Sequence, residues 1–178
     1  MDGFLGDAQF EFRRHKELAE KAMGSLGDEE FFKKPAEAVN SIALVVKHLA
    51  GNLSSRWADF LTSDGEKPGR NRDGEFTLTD ADSREELMAA WERGWETLLE
   101  TLLNLNGEDL AKSVTIRGEK FTAMQAILRG LTHATYHVGQ IMYVARLLRP
   151  DRPWLTMPPT GSKAWKGEYR KGGPASRS

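Results

Sequence analysis

Two histidines stand one helical turn apart in His133-Ala134-Thr135-Tyr136-His137. At that spacing on a helix both imidazoles share one face, about 5–6 Å apart at their bases, near enough to hold a single ion together. A third histidine, His48 in Lys47-His48-Leu49-Ala50-Gly51-Asn52, lies on another helical segment. Counting about 100° per residue, His133 and His137 fall roughly 80–120° from the centre of their segment's apolar stripe, and His48 falls at a similar angle from its own. All three therefore sit on the flank of a buried face, where a crevice between helices is reached by solvent and substrate. Gln140 and Asn52 fall on the same flanks, one turn beyond His137 and His48. They are candidates for supporting the ligands or binding substrate.

An i, i+4 histidine pair also suits surface positions or capped core positions. The third histidine on a matching flank is what turns the reading toward a metal. A histidine-only set points to catalytic rather than structural zinc, because structural zinc sites are closed and mostly thiolate-rich. Nickel(II), cobalt(II) and iron(II) also suit imidazole ligands. Three protein ligands leave an open position for water or for a substrate thiolate or carbonyl. The remaining histidine, His15, falls inside the apolar stripe of its segment. It reads as a partly buried, hydrogen-bonded side chain rather than a ligand.

The chain around these residues has 178 residues and no cysteine. Disulfides, thiolate ligands, iron–sulfur clusters and a cysteine nucleophile are thereby excluded. Its apolar runs fall far short of the roughly 20 residues that span a bilayer, and Met1-Asp2-Gly3 carries no basic leader, so the expectation is a cytoplasmic protein with no membrane partner. A net charge of −1 argues against organisation around nucleic acid. The charge is uneven: residues 146–178 hold eight basic and two acidic side chains, leaving the rest of the chain acidic.

Four periodic segments must position the histidines. The first runs over about 4–26, with Leu5, Ala8, Phe12, Ala19, Met23 and Leu26 on one side. The second, over about 38–61, aligns Ile42, Val45, Val46, Leu49, Leu53, Trp57 and Phe60. The third opens on the capping-box pattern Ser83-Arg84-Glu85-Glu86 and aligns Leu87, Trp91, Trp95, Leu98, Leu99 and Leu102. The fourth, over about 122–149, ends before Pro150. The expected fold is all-α: an up-down four-helix bundle over residues 1–150, followed by an irregular basic C-terminal tail over 151–178. Residues 62–82 form a long crossover, either functional or disordered, whose length suggests that the second and third helices need not be neighbours. Alternation around Arg117-Gly118 predicts a short β-hairpin before the fourth helix. Trp57, Trp91 and Trp95 lie on apolar stripes and read as core or interface side chains.

The stretch Gly118-Glu119-Lys120-Phe121-Thr122, continuing to Leu131-Thr132-His133-Ala134-Thr135-Tyr136-His137-Val138-Gly139-Gln140-Ile141, resembles the signature of the DinB-like (YfiT-like) superfamily of metal-binding four-helix bundles. His48, His133 and His137 match its three histidine positions. Residues 40–52, with Arg56-Trp57 and the segment 60–67, resemble a branch catalogued as a domain of unknown function. The likeness covers about residues 4–150 and does not extend to the tail. It implies a divalent metal, usually zinc or nickel, a homodimer, and chemistry that uses a low-molecular-weight thiol or hydrolyses a small-molecule substrate.

Three functions follow. In a thiol S-transferase the metal activates the thiol of a cofactor, which a cysteine-free chain must obtain from outside. A hydrolase would use metal-bound water and needs a general base; no carboxylate lies one turn from a ligand on the matching flank, so the crossover or the tail would have to supply it. A non-enzymatic binding module would use Lys163, Lys166, Arg170 and Lys171 with Trp154, Trp165 and Tyr169, against the plainer reading of a solvated tail whose tryptophans pack on the body. Arg56, Arg70 and Arg72 are candidates for an anionic substrate or cofactor, or solvated surface charges.

Overall fold

In the computed structural model, residues 2–156 and 158–163 are described. Five α-helices occur among them: α1 (Asp2–Met23), α2 (Asp28–Phe32), α3 (Ile42–Trp57), α4 (Arg84–Asn104) and α5 (Ala123–Leu148). Two strands, β1 (Ser113–Ile116) and β2 (Glu119–Thr122), pair antiparallel with Val114 opposite Phe121 and Ile116 opposite Glu119. The protein is thus mostly helical with one small sheet. No described helix is long and apolar enough to cross a membrane.

The helix starts follow from local chemistry. Ser41, Ser83 and Thr122 each accept a hydrogen bond from the third residue of the helix they precede, and Glu86 and Gln125 reach back to complete capping boxes. α3 is shorter than its periodicity predicts, beginning at the Ser41 cap and stopping at Trp57, with Asp59 in left-handed backbone (φ 50°) in the turns that follow. The hairpin forms where the alternation predicts it. Arg117 and Gly118 both take positive φ, 57° and 77°, the geometry of a tight two-residue turn. α2 is an element that the periodicity does not predict; it buries Phe31.

α3 packs most extensively on α4, and α1 on α5, while α3–α5 and α1–α4 contacts close the ring. The second and third predicted helices are thus neighbours, although the length of the crossover between them does not require it. A long loop permits distant placement as well, and Gly94 on α4 allows a close approach of α3. A methyl group there would lie 3.0 Å from the Ala50 carbonyl oxygen and 3.1 Å from Leu53 Cβ. Phe12, Trp57, Trp91 and Trp95 fill the shared core, with Phe12 edge-on to both Trp57 and Trp95. Trp57, Trp91 and Trp95 are core residues.

The crossover from 62 to 82 is ordered and pinned at both ends. Asp64 accepts from the backbone N–H groups of Arg117 and Gly118 (2.8 and 2.9 Å), and Gly65 N–H donates to the Thr115 carbonyl (2.8 Å). At the far end Lys47 donates to Thr77 O and Asp82, both at 2.8 Å. Between these anchors, a single 3₁₀ turn at Gly74–Phe76 lies against α3. Of the tail residues singled out by sequence, Trp154 lies under Arg146, whose guanidinium carbon is 4.2 Å from the ring centre. Trp165, Lys166, Tyr169, Arg170 and Lys171 lie outside the described residues.

Candidate metal centre

α3 and α5 face each other through two sets of polar residues spaced four apart: His48, Asn52 and Arg56 on one, Arg129, His133 and His137 on the other. Four-residue spacing keeps each set on one helix face. The sets run in opposite senses along the chain, so histidines meet histidines at one end and arginines gather at the other. His48 Nε2 lies 3.4 Å from His133 Nε2, and His137 Nε2 lies 3.2 Å from the same atom. The candidate ligand atoms of all three lie within 4.8 Å of one another, a group that could hold a metal ion. Nitrogens bound tetrahedrally at about 2.0–2.1 Å from zinc stand about 3.3 Å apart, a value that the two separations from His133 match.

The outer contacts fix the ring orientations. Glu75 Oε2 accepts from His48 Nδ1 at 2.9 Å, and Gln140 Oε1 accepts from His137 Nδ1 at 2.9 Å. Each contact puts the proton on Nδ1 and leaves the Nε2 lone pair facing the cluster, the arrangement in which a neighbouring carboxylate or amide orients a metal-binding imidazole. Glu75 is 7% exposed, and Arg70 clamps it with two bonds of 2.7 and 2.8 Å. Burial pushes its carboxyl pKa up, but Arg70 and His48 outweigh this and hold it below the usual range. Phe76 completes the support by stacking on the His48 ring, 4.5 Å between centroids. Gly51 makes room for this arrangement, since a Cβ there would lie 2.5 Å from Glu75 Oε1.

Burial, then the neighbouring His137 and His48, and then Arg56 and Arg70 push the His133 pKa down to about 3. His137 is also lowered, chiefly by burial. Both are neutral at physiological pH, as a metal ligand must be.

The histidines open into a cavity of about 360 Å³ lined also by Asn52, Arg56, Arg72, Phe76, Arg117, Arg129 and Gly130. Asn52 and Arg56 thus share the cavity wall with His48. Gln140 is exposed and engaged with His137, outside this lining. Arg70 is committed to Glu75 and Glu66, whereas Arg72 reaches the rim. His15 is hydrogen-bonded to Glu11 O and to Thr135 Oγ1, apart from the cluster. Glu75 and Phe76 are the residues that sequence reasoning misses; the only signal for them is that an unusually long crossover had to end up somewhere. Among the described residues, no carboxylate lines the cavity.

The family described as "Protein of unknown function (DUF1572)" matches residues 2–161. No curated protein matches the chain. Among solved structures, the crystal structure of a conserved protein from Enterococcus faecalis is similar at 16% identity and a TM-score of 0.60, covering 80% of this chain and 95% of the other. That likeness concerns the fold alone.

Proposed function

The chain belongs to the DUF1572 family, whose function is unknown, and we propose from its own site that it is a divalent-metal-dependent enzyme using His48, His133 and His137 as ligands. The observation that carries this is the convergence of three imidazole Nε2 atoms, two of them oriented through Nδ1 by Glu75 and Gln140. Zinc or nickel suits such a set, and when bound would supply Lewis-acid activation of a sulfur or oxygen nucleophile at its open side. The reaction is transfer of an externally supplied low-molecular-weight thiol to an electrophilic small-molecule substrate. The thiol gives up its proton to solvent, sulfur forms the new bond to the electrophilic atom, and the leaving group departs with the electron pair of the bond that breaks. Asn52 and Arg56 orient the reactants from the α3 wall, and Gln140 keeps the His137 ring aligned.

Hydrolysis is the weaker reading because it needs a general base within reach. Among the described residues the cavity lining offers no carboxylate, and Glu75 is engaged by Arg70 and His48.

On the same reading the protein is a cytoplasmic DinB-like four-helix bundle over residues 1–150 with an irregular basic tail over 151–178. The ring of contacts among α1, α3, α4 and α5 supports the bundle. It acts as a homodimer, a reading supported by Tyr136, Tyr143 and Leu147, large exposed side chains along one stripe of α5.

Elemental analysis of the purified protein and its His133→Ala variant, with product assays run with and without added thiol, tests the reading. About one equivalent of zinc or nickel, lost in the variant, and thiol-dependent turnover are expected. Unchanged metal content in the variant overturns the site, and turnover that ignores thiol overturns the transferase in favour of the hydrolase.

A further inference from the structure

The end of the cavity away from the histidines carries more positive charge than the chain neutralises. Four guanidinium groups, those of Arg56, Arg72, Arg117 and Arg129, line it, with Arg70 nearby on Glu66 and Glu75, and these two carboxylates answer them. Glu75 is taken by Arg70 and His48. Glu66 is shared among Arg70 at 3.3 Å, Arg72 at 3.6 Å and Arg117 at 3.3 Å. Asp64 is used on the backbone N–H groups of the hairpin turn and of Glu66.

Arg56 and Arg129 are left over. Arg56 is 7% exposed, its Nε is buried without a hydrogen-bond acceptor, and no carboxylate among the described residues pairs with its guanidinium. Burial, then repulsion from Arg129, Arg70 and Arg117, pulls its pKa down to about 10, and attraction from Glu66 only partly offsets this. Arg129, across the cavity on α5, rests over the Phe121 ring at 5.6 Å and likewise has no carboxylate partner among the described residues. A buried guanidinium with free donors is an unfavourable arrangement by itself. It becomes favourable when an anion brings acceptor oxygens to the fork.

We propose that the cavity binds its substrate or thiol cofactor by an anionic oxygen group, a carboxylate or phosphoryl, held between Arg56 and Arg129. Arg56 lies two helical turns from His48, and Arg129 one turn from His133. The ligand is therefore a small organic anion whose reactive atom stands about 6–12 Å from its charge, the rise of one to two turns. The inference rests on the proposed metal site for the position of the reactive atom, but not for the anion contact itself.

The test follows thermal unfolding of the full-length protein, after chelation, as inorganic phosphate or acetate replaces chloride at constant ionic strength. Wild type should show saturable stabilisation, and Arg56→Gln should weaken the apparent affinity at least tenfold. Arg129→Gln, at an exposed position, should weaken it several-fold with the fold intact. His133→Ala should keep the anion response while losing metal, so failure of the metal reading and failure of this one are told apart. A stronger response to phosphate assigns a phosphoryl ligand, and a stronger response to acetate a carboxylate. Without anion, Arg56→Gln should be at least as stable as wild type, because it removes an unpaired buried charge. A wild type that ignores both anions, or equal responses in wild type and both arginine variants, overturns the proposal. If Arg56→Gln does not fold, the Arg129→Gln response decides alone.

Discussion

α3 presents two unlike faces. Toward α4 it is dry and close-packed, with Gly94 bringing the backbones together beside Trp91 and Trp95. Toward α5 it presents His48, Asn52 and Arg56, polar side chains that are almost wholly buried yet border a cavity. One helix therefore draws stability from one side and chemical potential from the other. The α4 side has nothing to rearrange for, while the α5 side holds neutral imidazoles and an unpaired cation that only a bound partner satisfies.

The largest expected effect comes from breaking the dry face. Gly94→Leu would drive a side chain into the Ala50 carbonyl and Leu53, at 3.0 and 3.1 Å from the position of its first carbon. It should cost about 3 kcal/mol or more, the upper end of overpacking penalties, as read from urea unfolding of the metal-free protein. A loss under about 1 kcal/mol would mean that α3 and α4 can separate cheaply.

On the other face the loss should appear in ligand affinity. Glu75→Gln removes the carboxylate behind His48 but leaves Glu66 for Arg70, and should weaken metal binding about 10–100-fold in a competitive chelator titration. Gly51→Ala displaces the same carboxylate indirectly, since its methyl would meet Oε1. It should weaken metal binding by up to about tenfold, and unchanged affinity would show that Glu75 has slack to move.

The smallest effect is on pH dependence. The folded state holds His133 down at about 3, whereas the unfolded chain takes its proton near 6.5. Stability from this group is full above about pH 6.5 and declines as pH falls below it, because the unfolded state then binds more protons. With the site partly open to solvent, the slope should be about 1 kcal/mol or less per pH unit. Urea midpoints of the metal-free protein between pH 7 and 5 should show this slope, and His133→Ala should flatten it. Equal slopes would assign the effect to other groups.

The two faces were not equally legible in the sequence. Apolar periodicity identifies the stripes that bury Leu49, Leu53, Trp57, Trp91 and Trp95, because burial repeats with the helix. The same angular arithmetic brings out the three histidines, and the Arg117-Gly118 turn announces the hairpin through its backbone preference. Glu75 and Phe76 carry no such rhythm. They come from a single 3₁₀ turn whose position is set by anchors at Lys47 and on the hairpin, contacts that no local pattern encodes. The pairing of α3 with α4 is likewise not encoded locally, since loop length leaves it open and the small side chain at Gly94 permits it. Arg56 was visible as a charge, but its want of a partner depends on how Glu66 and Glu75 are shared.

The support around His48 also bears on the order in which the protein folds. His48 and Glu75 are 27 residues apart, whereas His48 and His133 are 85 apart. Closing the longer loop costs about 1 kcal/mol more in chain entropy, and it also requires α5 to have docked. The half-site on α3 can thus assemble early and locally, while the full cluster exists only once the last long helix is seated. Tight metal uptake would then report a finished fold, and a chain stalled before α5 docks would present a single oriented imidazole, too few ligands to retain an ion.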